Sequence, residues 1–191
     1  MSEADAEALE FSRADVLLLQ LEIPVPAIAA AARRARFAGA RVLLNFAPFR
    51  KDAIDLVGLA THLIVNESEC ALIADALRVV AGSIEARART LSAKTTATVI
   101  VTLGQDGVLA VEADKLFTAP ALSVEAIDTV GAGDTFCGYL AAALAEGQPL
   151  EKALRLAATA GSLACTKSGA QPSVPLRPDV EGTFKHAATK H

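Results

Sequence analysis

The sequence predicts an α/β fold in which helices alternate with the strands of a mostly parallel central sheet. Two observations carry that prediction. The apolar runs at 15–20, 41–46 and 95–102 lack a polar/apolar alternation, which is the pattern of strands covered on both faces. Helical stretches of crossover length separate them, as right-handed βαβ units require. With 191 residues, 52% hydrophobic and 21% charged, the chain has the size and apolar content of one globular domain spanning 1–191.

Residues 2–13 read as a short acidic helix and 15–20 as the first strand. Pro24 and Pro26 open an Ala/Arg helix over 25–38 that Gly39 closes, because proline suits a first helical turn and glycine the position past the last. The second strand, 41–46, is followed by a helix over 50–60, a strand at 62–65 and helices over 67–80 and 83–94. The β-branched run 95–102 comes next, then the turn Gly104-Gln105-Asp106-Gly107 and a strand at 108–111, which together read as a hairpin. Short strands are expected near 116–118 and 124–127. Helices over 134–146 and 149–165, a Gly/Pro-punctuated loop at 167–175 and a C-terminal helix complete the chain.

In open α/β sheets the ligand crevice lies beyond the C-terminal strand ends. One stretch stands out there, Asp128-Thr129-Val130-Gly131-Ala132-Gly133-Asp134-Thr135-Phe136, which runs into an alanine-rich helix. Its glycines let backbone approach a ligand, and the first N–H groups of the helix make an anion site. Asp134 sets a carboxylate beside that site, able to accept a proton from a hydroxyl undergoing phosphorylation. Asp134 equally suits a plain helix start. The G-x-x-x-x-G-K-[ST] loop is absent from the sequence, so nucleotide chemistry would need another scheme.

Other loops end strands in the same way. Gln20-Leu21-Glu22 and Asn45-Phe46-Ala47-Pro48 follow the first two strands. Asn66-Glu67-Ser68-Glu69 has the spacing of a capping box, and its carboxylate could equally serve a hydrated Mg²⁺. Thr102-Leu103-Gly104-Gln105-Asp106-Gly107 is either a simple turn or backbone that passes a nucleotide. His62, His186 and His191 share no ligand spacing and are read as structural or solvent-facing, and Cys70, Cys137 and Cys165 as reduced core thiols.

Taken in order, these loops resemble the PfkB-type carbohydrate kinases and, within that family, the ribokinases. The resemblance rests on Asp128 to Phe136 together with Gln20 to Glu22, Asn45 to Pro48, Asn66 to Glu69, Thr102 to Gly104 and Gly169-Ala170-Gln171-Pro172-Ser173. It implies a three-layer α/β/α fold and ATP-dependent phosphorylation of a sugar hydroxyl, D-ribose to ribose 5-phosphate. Asp134 would be the base and would also touch the sugar, with Gly131, Ala132 and Gly133 as the anion hole. Glu22 would bind the sugar, and Asn66, Thr102, Leu103, Gly104, Gln105, Asp106, Gly107 and Gly133 would contact ATP. Glu69 would organise Mg²⁺ through water, while Asp128, Val130, Ala164, Lys167, Gly169 and Ser173 would surround an activating K⁺.

The chain departs from the family pattern with Phe46 in place of Pro and Ser68 in place of Thr. It resembles only the C-terminal two thirds or so of a member. The N-terminal strands and the β lid are expected to be missing, leaving a nucleotide half-site, an incomplete sugar half-site, impaired activity and an exposed sheet edge at 15–20. Other acceptors of the family (fructose, a sugar phosphate, a nucleoside) and a non-catalytic nucleotide-binding or regulatory fragment are the alternatives. A full-length member would be a homodimer. A net charge of −4, few aromatics and no Trp argue against nucleic acid as a partner. The absence of an apolar run of about 18 residues argues against a membrane span. The acidic start lacks a secretory signal, so a cytoplasmic location is expected.

Overall fold

Short apolar runs that cannot satisfy their backbone alone pair side by side, and this pairing organises the first half of the chain. The structure, a computed structural model, describes residues 1–188. They divide into two compact units, Met1–Thr102 with Leu109–Phe117, and Leu103–Val108 with Thr118 onward.

The first unit is built on a six-stranded sheet whose order follows the sequence: β1 (Val16–Gln20), β2 (Arg41–Asn45), β3 (His62–Asn66), β4 (Thr98–Thr102), β5 (Val108–Glu112) and β6 (Lys115–Ala119). β1 to β4 pair in parallel. With no reversal in the order, right-handed crossovers put their helices on one face. There α1 (Glu3–Glu7) packs on α2 (Val25–Phe37), and α3 (Glu67–Ala76) packs on α4 (Ile84–Thr95). β3 and β4 are buried along their lengths without alternation, as expected of strands covered on both faces. β1 ends the sheet order, with Leu18 38% exposed. That edge matches the apolar exposure expected at 15–20.

Several expected bounds shift for local reasons. The helix expected over 50–60 is a 3₁₀ run, Lys51–Leu59, a tighter winding that suits a segment carrying Asp52, Asp55 and Gly58, all poor α-helix formers. β4 starts at Thr98 rather than at 95, because α4 continues to Thr95 and stops at Thr96 in the left-handed region. His62 opens β3 with its Nδ1 2.9 Å from Thr61 Oγ1, and burial pushes its pKa down to about 4. It is a neutral core histidine.

The second unit is helical: α5 (Ala132–Ala145), α6 (Leu150–Ala164), the single turn α7 (Ala170–Ser173) and α8 (Arg177–Ala188). α5 and α6 approach closely because Gly161 has no side chain there; a Cβ would stand 3.3 Å from the Ala132 carbonyl oxygen. The Tyr139 hydroxyl donates to the Pro175 carbonyl at 2.8 Å, and Arg177 ion-pairs with Glu146 and Glu181. The Tyr139 bond and the Arg177–Glu146 pair hold the start of α8 beside the end of α5, while the Arg177–Glu181 pair lies within α8. The strand expected at 124–127 does not form. That segment donates Ile127 N–H to the Cys165 carbonyl at 2.8 Å instead, while Leu122 N–H goes to Ser162 Oγ at 3.0 Å, so its polar backbone is spent on α6 and not on a ladder. His191 lies outside the described residues.

Candidate functional site

Parallel pairing brings the polar strand ends to one edge of the sheet. Gln20, Asn45, Asn66 and Thr102 are the last residues of β1 to β4. Gln20 lies in register with Asn45, and Asn66 with Thr102. Beyond them, Leu21 N–H donates to the Ala47 carbonyl at 3.0 Å, tying the two loops together, and the adjacent Glu22 is exposed. Phe46, in the same loop, is fully buried and is a packing residue.

Asn66 and Glu69 cap α3 reciprocally: Glu69 N–H donates to Asn66 Oδ1 at 2.8 Å and Asn66 N–H to Glu69 Oε2 at 2.9 Å. Partial burial raises the Glu69 pKa, opposed by the Asn66 N–H. A carboxylate held part-way out of water gains by meeting a cation, so Glu69 fits a Mg²⁺ shell as well as a cap. Thr102 Oγ1 makes a long 3.4 Å contact with the Val65 carbonyl.

The loop after Thr102 belongs to the second unit. Leu103 N–H donates to the Gly107 carbonyl at 2.8 Å, closing a turn that leaves Gly104, Gln105 and Asp106 exposed. Gly107 has φ +96 and its Cβ would stand 2.1 Å from the Ala119 carbonyl oxygen. Packing therefore demands that glycine, whatever else the loop does.

The Asp128–Asp134 stretch is the more distinctive. Asp128 Oδ1 accepts from Val130 N–H at 3.0 Å and Oδ2 from Gly169 N–H at 2.9 Å. These donors, Gly169 first, hold its carboxyl below the usual range. Gly131 is the N-cap of α5, at φ 78 and ψ −1, and offers no side-chain cap. A Cβ at Gly131 would stand 3.1 Å from the Ala170 Cα, whereas one at Gly133 would meet nothing within 4 Å. No packing contact explains Gly133, so its bare surface is open to a ligand. Asp134 sits in the first turn of α5, exposed.

Together these place a helix N-terminus with no side-chain cap, whose Ala132 N–H turns to the Thr129 carbonyl at 3.3 Å, and a carboxylate within one helical turn, an arrangement able to hold an anion and take a proton. Ala164 and Ser173 are buried, Lys167 is exposed, and Gly169 is half-buried. All lie in the stretch 164–173, whose Gly169 N–H the Asp128 carboxylate holds. Among the described residues no cluster of three or more His, Cys, Asp or Glu stands together as a metal group.

Sequence reasoning missed the acceptor role of the Cys165 carbonyl, which takes both Ile127 N–H and Asp128 N–H, and the contact of Ala170 with Gly131. Backbone acceptors leave no residue-type signal. It also missed a cavity of about 420 Å³ along α5, lined by Asp134, Tyr139, Ala142, Leu156, Val174 and Arg177 among others.

Residues 2–177 match the family described as "pfkB family carbohydrate kinase". The chain is 33% identical over 178 residues to the ribokinase of Haemophilus influenzae, covering 93% of this chain and 58% of that protein. The crystal structure of ribokinase from Thermotoga maritima superposes with a TM-score of 0.80 at 32% identity over 90% of this chain and 57% of the other. That of Arabidopsis thaliana ribokinase complexed with ribose and ATP gives 0.78 at 29% identity, over 97% and 60%. The chain thus spans somewhat over half the length of the relatives it matches. No helix among the described residues is long and apolar enough to cross a membrane.

Proposed function

Because the chain belongs to the pfkB family of carbohydrate kinases, we propose that it carries the nucleotide-binding and phosphoryl-transfer part of an enzyme that phosphorylates a sugar, D-ribose to ribose 5-phosphate. The observation that carries this is the N-terminus of α5, which no side chain caps: a glycine N-cap, a bare Gly133 and Asp134 within the same turn. In the proposed reaction the sugar hydroxyl gives its proton to the Asp134 carboxylate as its oxygen bonds to the γ-phosphorus of ATP, and ADP leaves. The N–H groups at Gly131, Ala132 and Gly133 receive the charge on the transferring group. A loose transition state asks chiefly for such positioning and charge stabilisation.

Asn66, Thr102 and the loop Leu103 to Gly107 are assigned to ATP, and Glu22 to the sugar. Glu69 would hold Mg²⁺ through water, and the ion would supply charge neutralisation for the phosphates. K⁺, held by Asp128, Val130, Ala164, Lys167, Gly169 and Ser173, would activate. Free Cys70, Cys137 and Cys165 agree with a reducing, cytoplasmic compartment. The apolar edge at β1, with Leu18 38% exposed, would favour association of this chain; the homodimer is proposed separately, for the longer family member.

ATP-dependent phosphate transfer to ribose, assayed with K⁺ present and absent, tests the proposal. Product formation that K⁺ accelerates is expected. A second outcome has its own support, since the chain covers 58% of its Haemophilus influenzae relative: binding without turnover. The transfer assay separates the two, and failure to bind ATP at all in calorimetry would exclude both.

A further inference from the structure

Asp128 does more than its side-chain chemistry suggests. Both of its carboxylate oxygens are committed to backbone donors, one two residues ahead at Val130 and one 41 residues ahead at Gly169. Two further ties run between the same segments. The Cys165 carbonyl accepts from Ile127 N–H at 2.8 Å and from Asp128 N–H at 3.2 Å, and Gly131 rests against Ala170 so closely that a Cβ would stand 3.1 Å from its Cα. Gly131 in turn begins α5. The orientation of the first N–H groups of α5 is therefore fixed by a loop that follows α6, through Asp128.

We infer that Asp128 is a positioning residue, whose carboxylate clasps the Val130 and Gly169 N–H groups and so aims the Gly131–Gly133 N–H groups at the transferring phosphoryl. This rests on the proposed phosphoryl transfer at α5. The clasp is made by hydrogen bonds between protein groups alone, so it works without a monovalent cation. Donors that stay in place while charge develops are worth more than donors that must be gathered.

The residue types give a sharp test. Asparagine has one oxygen acceptor and Ala none, so Asp128→Asn can keep one of the two bonds and Asp128→Ala neither. Amide exchange by NMR is measured on the whole chain, once with K⁺ and once with tetramethylammonium as the only monovalent cation. In Asp128→Ala both the Val130 and Gly169 amides should exchange about 10-fold faster or more, the loss of one ordinary hydrogen bond each. In Asp128→Asn only one of the two should. Both results should hold in either buffer.

Capture of aluminium fluoride beside ADP and Mg²⁺ supplies the functional readout, since it mimics the transferring phosphoryl. Asp128→Ala should weaken that capture about 10-fold while ADP alone binds as in the wild type, a split that a merely structural defect would not produce. Unchanged exchange at Val130 and Gly169, or an effect seen only with K⁺ present, overturns the clasp. Faster exchange with undiminished aluminium fluoride capture overturns its positioning role. A wild-type chain that captures no aluminium fluoride, while the amides of the Asp128 variants respond as described, overturns phosphoryl transfer and leaves the grip on the turn supported.

Discussion

Two helices in this chain start from loops that look alike in sequence and end up chemically opposite. α3 follows Asn66 and carries Glu69 at its third position; α5 follows Gly131 and carries Asp134 at its third. In α3 the Asn66 and Glu69 N–H groups are satisfied from within, since the two residues cap each other at 2.8 and 2.9 Å. In α5 the N-cap is a glycine with no side chain to give. A helix that closes its own N-terminus needs no ligand there, whereas one left open is stabilised by whatever anion arrives. A carboxylate in the first turn therefore means little until the N-cap residue is known.

The largest test of that contrast is Asp134→Asn. If α5 carries the reaction, turnover should fall about 1,000-fold, the usual scale for a lost general base, with nucleotide affinity by calorimetry unchanged. Undiminished turnover would remove Asp134 from the role. The corresponding change in α3, Glu69→Gln, keeps an acceptor for the Asn66 N–H and should leave the melting temperature alone. A weaker dependence on Mg²⁺ in that variant would show that Glu69 does more than cap.

The glycines separate packing from function. Gly131→Ala places a Cβ at φ 78 against Ala170 and should destabilise by roughly 1–3 kcal/mol in thermal or denaturant unfolding. Gly133→Ala meets nothing within 4 Å and replaces a helical glycine, so stability should hold or rise by up to about 1 kcal/mol. Phosphoryl transfer by Gly133→Ala should nonetheless fall about 10- to 100-fold, if the bare surface is where the phosphoryl sits. Equal turnover in Gly133→Ala would show that the opening is unused.

A smaller effect belongs to the self-capped helix. Asn66→Ala removes a side-chain cap and should cost about 1 kcal/mol of unfolding free energy.

The smallest effect is in pH. The Glu69 pKa is raised from 4.5 by burial, so the folded state holds its proton longer, and this turn loses stability as pH rises from about 4.5 through the raised value. The Asp128 pKa is lowered from 3.8 by its N–H donors, so the other turn keeps its stability above 3.8 and loses it as pH falls through the depressed value. Carboxyl-carbon NMR titration should place Glu69 above and Asp128 below their ordinary values. The reverse order would contradict both environments.

Local signals were legible where the physics is local. The capping box at Asn66 and Glu69, the Pro24 and Gly39 bounds of α2 and the unalternating strands β1 to β4 were all readable from neighbours in sequence. Residues 124–127 were misread because Val124 and Ile127 have strand-like side chains, while a strand also needs a partner to take its backbone. Here the partner groups are Cys165 and Ser162 on another helix. In sequence the Gly104–Gly107 turn suits either a simple turn or a nucleotide contact, and packing requires Gly107, whose approach to Ala119 leaves no room for a Cβ.

By itself the sequence determined which groups are available: an ordered set of strand-end loops, the carboxylates Glu69, Asp128 and Asp134, and a glycine-flanked helix start, enough to place the chain in a kinase family. Only the tertiary structure decided what Asp128 holds, since its carboxylate reaches Gly169 across 41 residues. Short-range hydrogen bonds follow from spacing, but a bond between distant backbone groups follows from how helices pack, and no run of residue types records that.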